Sequence, residues 1–268
     1  MPIHAPPKPV VKWAGGKQAL LPQLLEHFPA RFETYHEPFL GGASVALAVG
    51  AKRARLSDAN AWLIDTYRAI RDDWRAVAAV LEELPNTKEE FLAIRAQPHA
   101  HLPLAKRAAH FVYLNKTCFR GLFRVNRAGR FNVPYGAYHR RYYDPANWEA
   151  VSRALQGAEL CCADYAQALS VAQAGDFVYL DPPYWKLGGY ADFNRYTPGQ
   201  FRAEDHVRLA ESCRDLAARG VRWALSNSDT EEVRELYRGF RVVEVAARRE
   251  INLNAGSRDV RELLILGW

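Results

Sequence analysis

Short apolar runs of strand length alternate with helical patterns along most of this 268-residue chain, and such alternation leaves few architectures open. Strand-like runs fall at residues 34–38, 53–57, 159–163, 177–180, 221–225, 241–245 and 262–266. Between them apolar residues recur at helical spacing. Leu20, Leu21, Leu24, Leu25 and Phe28 predict a helix over 17–28, and Leu63, Ile64, Tyr67, Ile70, Trp74, Val77 and Leu81 line one face of a long helix over 60–84. Further helices are expected over 44–49, 104–114, 165–172, 204–219 and 230–237. Thr87 with Glu90 reads as a capping box, Asp144-Pro145 as a cap followed by proline at the first helical position, and Gly220 as a helix stop. Strands alternating with helices predict a mostly parallel sheet covered on both faces.

The rhythm fails between residues 59 and 144, and there the charge becomes uneven. The chain carries a net charge of +6, yet from Phe91 to Tyr143 it has ten Lys or Arg and no Asp or Glu, so the remainder is net acidic. Ten aromatic residues are interleaved with these cations. A clustered basic field is the footprint of a phosphate-binding surface, and aromatic rings add stacking faces for unpaired bases. A solvated basic face over ordinary core aromatics would have the same composition. The stretch 119–138, with Asn126-Arg127-Ala128-Gly129 at its middle, reads as a loop and hairpin.

Composition removes several classes. With 49% hydrophobic and 25% charged residues the chain is an ordinary globular one. Its apolar runs, such as 43–51, fall short of the ~20 residues of a membrane helix, and the proline-rich start lacks the apolar core of a secretory signal. The four cysteines, Cys118, Cys161, Cys162 and Cys213, form no CxxC pair, so neither a zinc framework nor a disulfide scaffold is expected, and reduced thiols suit the cytoplasm.

Two short motifs carry chemistry. Glu37-Pro38-Phe39-Leu40-Gly41-Gly42-Ala43-Ser44 joins the first strand to a helix, and its glycines let backbone approach a ligand. Asp58, ending the second strand, suits a ribose hydroxyl pair. Such a turn also serves purely structural ends. Asp181-Pro182-Pro183-Tyr184 follows the unbroken apolar strand Phe177-Val178-Tyr179-Leu180. The two prolines remove backbone donors and fix φ, leaving rigid carbonyls beside a carboxylate and an aromatic face. That set accepts hydrogen bonds from an amino group and stacks its ring, at the carboxyl end of a strand where open α/β sheets bind ligands.

Taken in order, the motifs resemble those of the Dam-type DNA adenine-N6 methyltransferase family. Lys12-Trp13-Ala14-Gly15-Gly16-Lys17 resembles its N-terminal motif, Glu37-Pro38-Phe39-Leu40-Gly41 its cofactor loop, and Asp181-Pro182-Pro183-Tyr184 its catalytic motif. Leu114-Asn115-Lys116, Gly121-Leu122-Phe123-Arg124-Val125-Asn126 and Phe131-Asn132-Val133-Pro134-Tyr135-Gly136 resemble its recognition region, and Ser226-Asn227 and Glu262-Leu263-Leu264 its late segments. Ala43 stands where the family often has a further glycine.

The resemblance implies a class I methyltransferase (Rossmann-like) α/β fold, its mostly parallel sheet interrupted by a helical and β-hairpin DNA-binding domain. Residues 1–58 and 145–268 would form the catalytic domain and 59–144 the inserted one. It implies S-adenosylmethionine held by Trp13 and Lys17 at the methionine end, by the loop residues Glu37, Phe39 and Gly41, by Asp58 on the ribose, by Asp164 and Tyr165 on the adenine, and beside Asp181. Asp181, Pro182, Pro183 and Tyr184 would act on a flipped adenine within GATC in double-stranded DNA. Lys12, Lys116, Phe119, Arg120, Leu122, Arg124, Asn126, Asn132 and Pro134 would contact the duplex, with Arg124 reading guanine, Leu122 and Pro134 meeting a thymine methyl, and Phe119 and Arg120 filling the stack. Phe193 and Tyr196 would close the pocket or merely anchor their loop. A monomeric cytoplasmic enzyme without metal is the expectation. The rival readings are an N4-cytosine or RNA adenine methyltransferase, a nonenzymatic DNA-binding protein on the same fold, and a nucleotide-dependent oxidoreductase.

Overall fold

A computed structural model describes residues 5–126, 128–138, 141–185, 201–248 and 259–268. Seven strands form one sheet: β1 (Tyr35–Glu37), β2 (Ala54–Asp58), β3 (Ala158–Cys162), β4 (Phe177–Leu180), β5 (Arg222–Ser228), β6 (Arg241–Arg248) and β7 (Asp259–Leu266). Their order is β3-β2-β1-β4-β5-β7-β6. The first five are parallel in register, and β7 enters antiparallel between β5 and β6, with Ser226 opposite Leu264 and Val243 opposite Leu264 on the other side. This is the mostly parallel sheet that the alternation predicts, consistent with a class I methyltransferase fold. The carboxyl ends of β1 to β5 share one rim with the start of β7.

Nine helices are described: α1 (Leu21–Leu25), α2 (Ser44–Val49), α3 (Ala61–Glu82), α4 (Lys88–Ala96), α5 (Leu104–Thr117), α6 (Pro145–Ala154), α7 (Tyr165–Ser170), α8 (Ala203–Ala218) and α9 (Glu231–Leu236). The central strand β4 shows why the sheet is buried on both sides. Phe177 and Tyr179 enter the core shared with α1 to α6, while Val178 and Leu180 enter the one beneath α7 to α9. The edge strand β3 would leave outward carbonyls unpaired. Arg68 of α3 donates to Leu160 O at 2.9 and 2.5 Å, and Arg71 to Ala158 O at 2.9 Å, so α3 covers that edge. The same helix packs along α5, so the segment that breaks the rhythm is seated on the sheet through α3.

Several local expectations change. The helix expected over 17–28 is regular only from Leu21 to Leu25, because Pro22 suits the first turn and the backbone N–H of Lys17 is taken by Ser44 Oγ at 3.1 Å. The long helix breaks at Asp73 (φ −154°, ψ 78°), whose Oδ1 accepts Ala76 N–H at 3.1 Å and restarts the helix like a cap. Only half of the expected capping box forms: Thr87 Oγ1 accepts Glu90 N–H, but Thr87 N–H goes to Pro85 O at 2.9 Å. The expected loop and hairpin takes a minimal form: a 3-10 turn, Phe119–Gly121, and antiparallel bridges Cys118 to Tyr135 and Val125 to Phe131, the latter closed by Asn126 N–H to Arg130 O and Asn132 N–H to Arg124 O. All four cysteines are free thiols. Among the described residues no helix is long and apolar enough to cross a membrane, and no cluster of ligating side chains suits a metal ion.

Candidate active site

At the rim, three segments distant in sequence meet on Asp181. Lys17, almost fully buried, places Nζ 2.8 Å from Asp181 Oδ2, and the same ammonium donates to Gly15 O at 2.6 Å and lies 4.8 Å over the Tyr184 ring. Burial pushes the Asp181 carboxyl up to about 6, and the Lys17 ammonium holds it from rising further. Asp181 is therefore ionised at neutral pH and not strongly solvated. Tyr184 donates its hydroxyl to Glu262 Oε2 of β7 at 2.7 Å. Beyond it, Trp185 N–H donates to Asn227 Oδ1 at 3.0 Å and Ser228 Oγ donates to Trp185 O at 2.8 Å. The ends of β5 and β7 thus grip the motif that β4 delivers. From sequence, Asn227 and Glu262 have no role beyond membership of the blocks Ser226-Asn227 and Glu262-Leu263-Leu264, and Ser228 is not singled out.

The glycine turn after β1 is held from three sides. Asp58 accepts Gly41 N–H on Oδ2 at 3.0 Å and Asn60 N–H on Oδ1 at 2.9 Å. Tyr67 of α3 donates to Gly42 O at 2.8 Å. Trp13 lies against the loop so closely that a Cβ on Gly41, at φ +48°, would stand 2.8 Å from Trp13 Cδ1. Ala43 also adopts the left-handed conformation, φ 58°, in a fully buried place, where glycine would be unstrained. Burial raises the Asp58 carboxyl to about 6, with Gly41 and Asn60 N–H groups opposing. Glu37 is fully buried, accepts the Tyr35 hydroxyl at 2.5 Å, and is raised by burial to about 8. Phe39 stacks on Tyr165 at 5.4 Å between ring centres. Asp164, exposed, caps α7 through Ala166 N–H at 3.0 Å.

These residues offer hydrogen-bond acceptors and ring faces to a ligand at the rim. Glu37, Asp58 and Asp181 bring three carboxyls to one rim, and Phe39, Tyr165 and Trp13 supply aromatic faces around a loop that only glycine fits. Among the described residues the structure therefore brings Trp13, Lys17, Glu37, Phe39, Gly41, Asp58, Asp181 and Tyr184 to the same rim.

The basic segment stands beside it. Trp13 stacks on Phe123 at 5.4 Å and on Phe111 at 6.4 Å, linking the glycine turn to the basic segment. Arg124 donates from Nε to Asn132 Oδ1 at 2.9 Å, and Asn132 N–H bonds back to Arg124 O at 3.1 Å. Two residues expected to contact DNA are thus bonded to each other. Phe119 is 45% exposed, and Arg120 lies 5.3 Å over its ring. Pro134 is exposed, Leu122 is half-buried, and Lys12 is exposed. Asn126 is committed to its own turn, Oδ1 accepting Ala128 N–H and Arg130 N–H at 3.0 Å each. Lys116 is half-buried at the end of α5. Phe193 and Tyr196 lie outside the described residues.

Comparison with known proteins follows this geometry. A family model described as D12 class N6 adenine-specific DNA methyltransferase matches residues 13–251. A type II methyltransferase, M.MjaIII of Methanocaldococcus jannaschii, is 35% identical over 97% of the chain and 99% of its own length. The DNA adenine methylase of Vibrio cholerae is 36% identical, and that of Escherichia coli 35%, each over 96% of the chain and 94% of the relative.

Proposed function

The chain belongs to the D12 class of N6 adenine-specific DNA methyltransferases, and on that premise we propose that it methylates N6 of an adenine flipped out of duplex DNA, within GATC, at the expense of S-adenosylmethionine. The single observation that carries the reading is Asp181, an ionised carboxylate at a strand end, followed by two prolines and a ring fixed by Glu262, and held by Lys17.

The adenine amino nitrogen is a weak nucleophile because its lone pair is conjugated into the ring. The Asp181 carboxylate and the Pro182 carbonyl accept its two N–H bonds, which favours a tetrahedral nitrogen with the lone pair free. The bonds strengthen as positive charge develops on that nitrogen, so they act chiefly in the transition state. As the nitrogen gains its methyl group it sheds a proton, for which the Asp181 carboxylate is the nearest acceptor. When bound, S-adenosylmethionine supplies a methyl group already activated on sulfur. Trp13, Lys17, Glu37, Phe39, Gly41, Asp58, Asp164 and Tyr165 would hold it, with the Asp58 and Asp181 carboxylates offsetting its positive charge and Glu37, raised to about 8, taking part as a largely neutral acid. Lys17 keeps Asp181 ionised before the base arrives. Tyr184 stacks on the extruded base, whose release from the duplex costs a few kcal/mol.

Residues 59–144 supply the DNA-binding part. Its acid-free basic stretch meets phosphates, Arg124 reads a guanine, and Leu122 and Pro134 meet a thymine methyl. The resemblance of the recognition blocks to family members that read GATC supports the motif. Sequencing of modified bases in DNA from cells expressing the chain tests the reading, with N6-methyladenine at GATC expected. Asp181→Ala, folded, should lose on the order of 10²-fold or more in rate. Methylation of cytosine, or near-normal turnover by that variant, would overturn it.

A further inference from the structure

We propose that Asn115 is a positioning residue that couples the recognition loop to the cofactor loop, so that seating on the target sequence is felt where S-adenosylmethionine binds. The proposal rests on the functional reading above and adds a regulation of that same site.

Asn115 lies in the last turn of α5 and is completely buried. Asparagine inside a helix normally bonds its own helix or water. Here the carboxamide reaches two other segments. Its Oδ1 accepts Lys12 N–H at 2.8 Å, and its Nδ2 donates to Lys12 O at 2.9 Å and to Gly121 O at 3.2 Å. Both donors of the amide are used, and one residue, Lys12, is held at both its N–H and its C=O.

The contacts continue in both directions. Gly121, at φ +68°, sits so close to Lys12 that a Cβ there would stand 2.5 Å from Lys12 Cδ. It belongs to the 3-10 turn that carries Phe119 and Arg120 and precedes Arg124. On the other side Lys12 is followed by Trp13, which presses on Gly41, and Gly41 is bonded to Asp58. Four residues further, Lys17 holds Asp181. A displacement of the recognition turn therefore passes through Asn115 to Lys12 and by contact of Trp13 to the glycine turn, and along the chain from Trp13 to Lys17 and its carboxylate partner. An apolar side chain at 115 would fill the space but leave three backbone groups without this partner.

Coupling of this kind is reciprocal and measurable as a ratio of affinities. S-Adenosylhomocysteine serves as an unreactive probe, its dissociation constant measured calorimetrically for the enzyme alone and with a duplex bearing the target motif. In the wild type the target duplex should tighten the probe at least roughly 5-fold, the lower end of typical coupling. Asn115→Ala should bring that factor close to one and narrow the preference for target over scrambled duplex. Asn115→Asp, which retains the acceptor for Lys12 N–H but sets a carboxylate against two carbonyls, should follow it. Gly121→Ala strains the same contact from the opposite side and should do likewise, so that a poorly folding Asn115 variant still leaves a test. A purely structural role for Asn115 lowers the melting temperature and leaves the factor intact. A folded variant retaining the full factor, or a wild-type factor of one, would overturn the proposal. Methylation of another base fails the functional reading alone, since the binding ratio still decides the coupling.

Discussion

Replacing Lys17 by methionine removes the cation that, among the described residues, touches Asp181, and leaves a side chain of similar length. At 2.8 Å and an effective dielectric constant of 20, two unit charges attract by about 6 kcal/mol, an upper bound for this pair. Opposite charges at short range move a carboxyl by roughly one to three units. Because Asp181 retains 20% exposure, one to two units is the appropriate share, or about 1.4–2.7 kcal/mol. The wild-type carboxyl titrates at about 6, so its acceptor function should be half lost near that pH and fully present above it. In Lys17→Met the same acid limb should lie between about 7 and about 8. At pH 7 the variant should then turn over roughly two to ten times more slowly through ionisation alone and recover towards pH 9. Stability follows the same sign. The folded carboxyl titrates above its ordinary value of about 3.9, so ionising it costs stability as pH rises through that interval. The variant should extend this loss beyond pH 6, where the wild type levels off. Single-turnover methyl transfer at saturating cofactor, measured across this pH range, reads the limb, and melting temperature reads the stability. A limb that stays near 6 in a folded Lys17→Met enzyme would refute the electrostatic argument.

Asp58→Ala should weaken cofactor binding by roughly 1.5–3 kcal/mol, since it removes a charged acceptor and frees Gly41 N–H; unchanged affinity by calorimetry takes Asp58 out of the site. Arg124→Ala should relax discrimination at one base pair by about 1–3 kcal/mol, with Asn132→Ala showing a weaker form of the same defect because the two side chains are bonded; equal loss on every single-base variant of GATC would assign Arg124 to phosphate. Tyr184→Phe keeps the ring and loses the bond to Glu262, so it should lower stability by about 1–2 kcal/mol while retaining most activity. Tyr184→Ala removes the stacking face, about 1–3 kcal/mol, and equal rates for the two variants would deny the ring its role.

How much of this was legible beforehand depends on the range over which each feature is encoded. Strands and helices write their periodicity into adjacent residues, so the run Phe177-Val178-Tyr179-Leu180 announced a buried strand and Asp181-Pro182-Pro183-Tyr184 a rigid site at its end. The acid-free stretch, too, is a property of neighbouring residues. Details fixed by competition for a single group were misread: the first helix starts late because Lys17 is engaged elsewhere, and the long helix breaks because Asp73 caps itself a new start.

The sequence by itself determined the elements, their order and the composition of the site, since these are local. Only the tertiary structure decided which distant residues meet: Lys17 on Asp181, Glu262 under Tyr184, Asn227 and Ser228 around Trp185, Asn115 on Lys12. The contacts of Tyr184 and Trp185 depend on the strand order, above all on the reversed β7 that brings Glu262 opposite Ser228 at the rim. Periodicity states that a segment is a strand but not which neighbour it will pair with; that choice is made by the burial of both sheet faces and the closure of the core, energies that no short stretch of sequence contains.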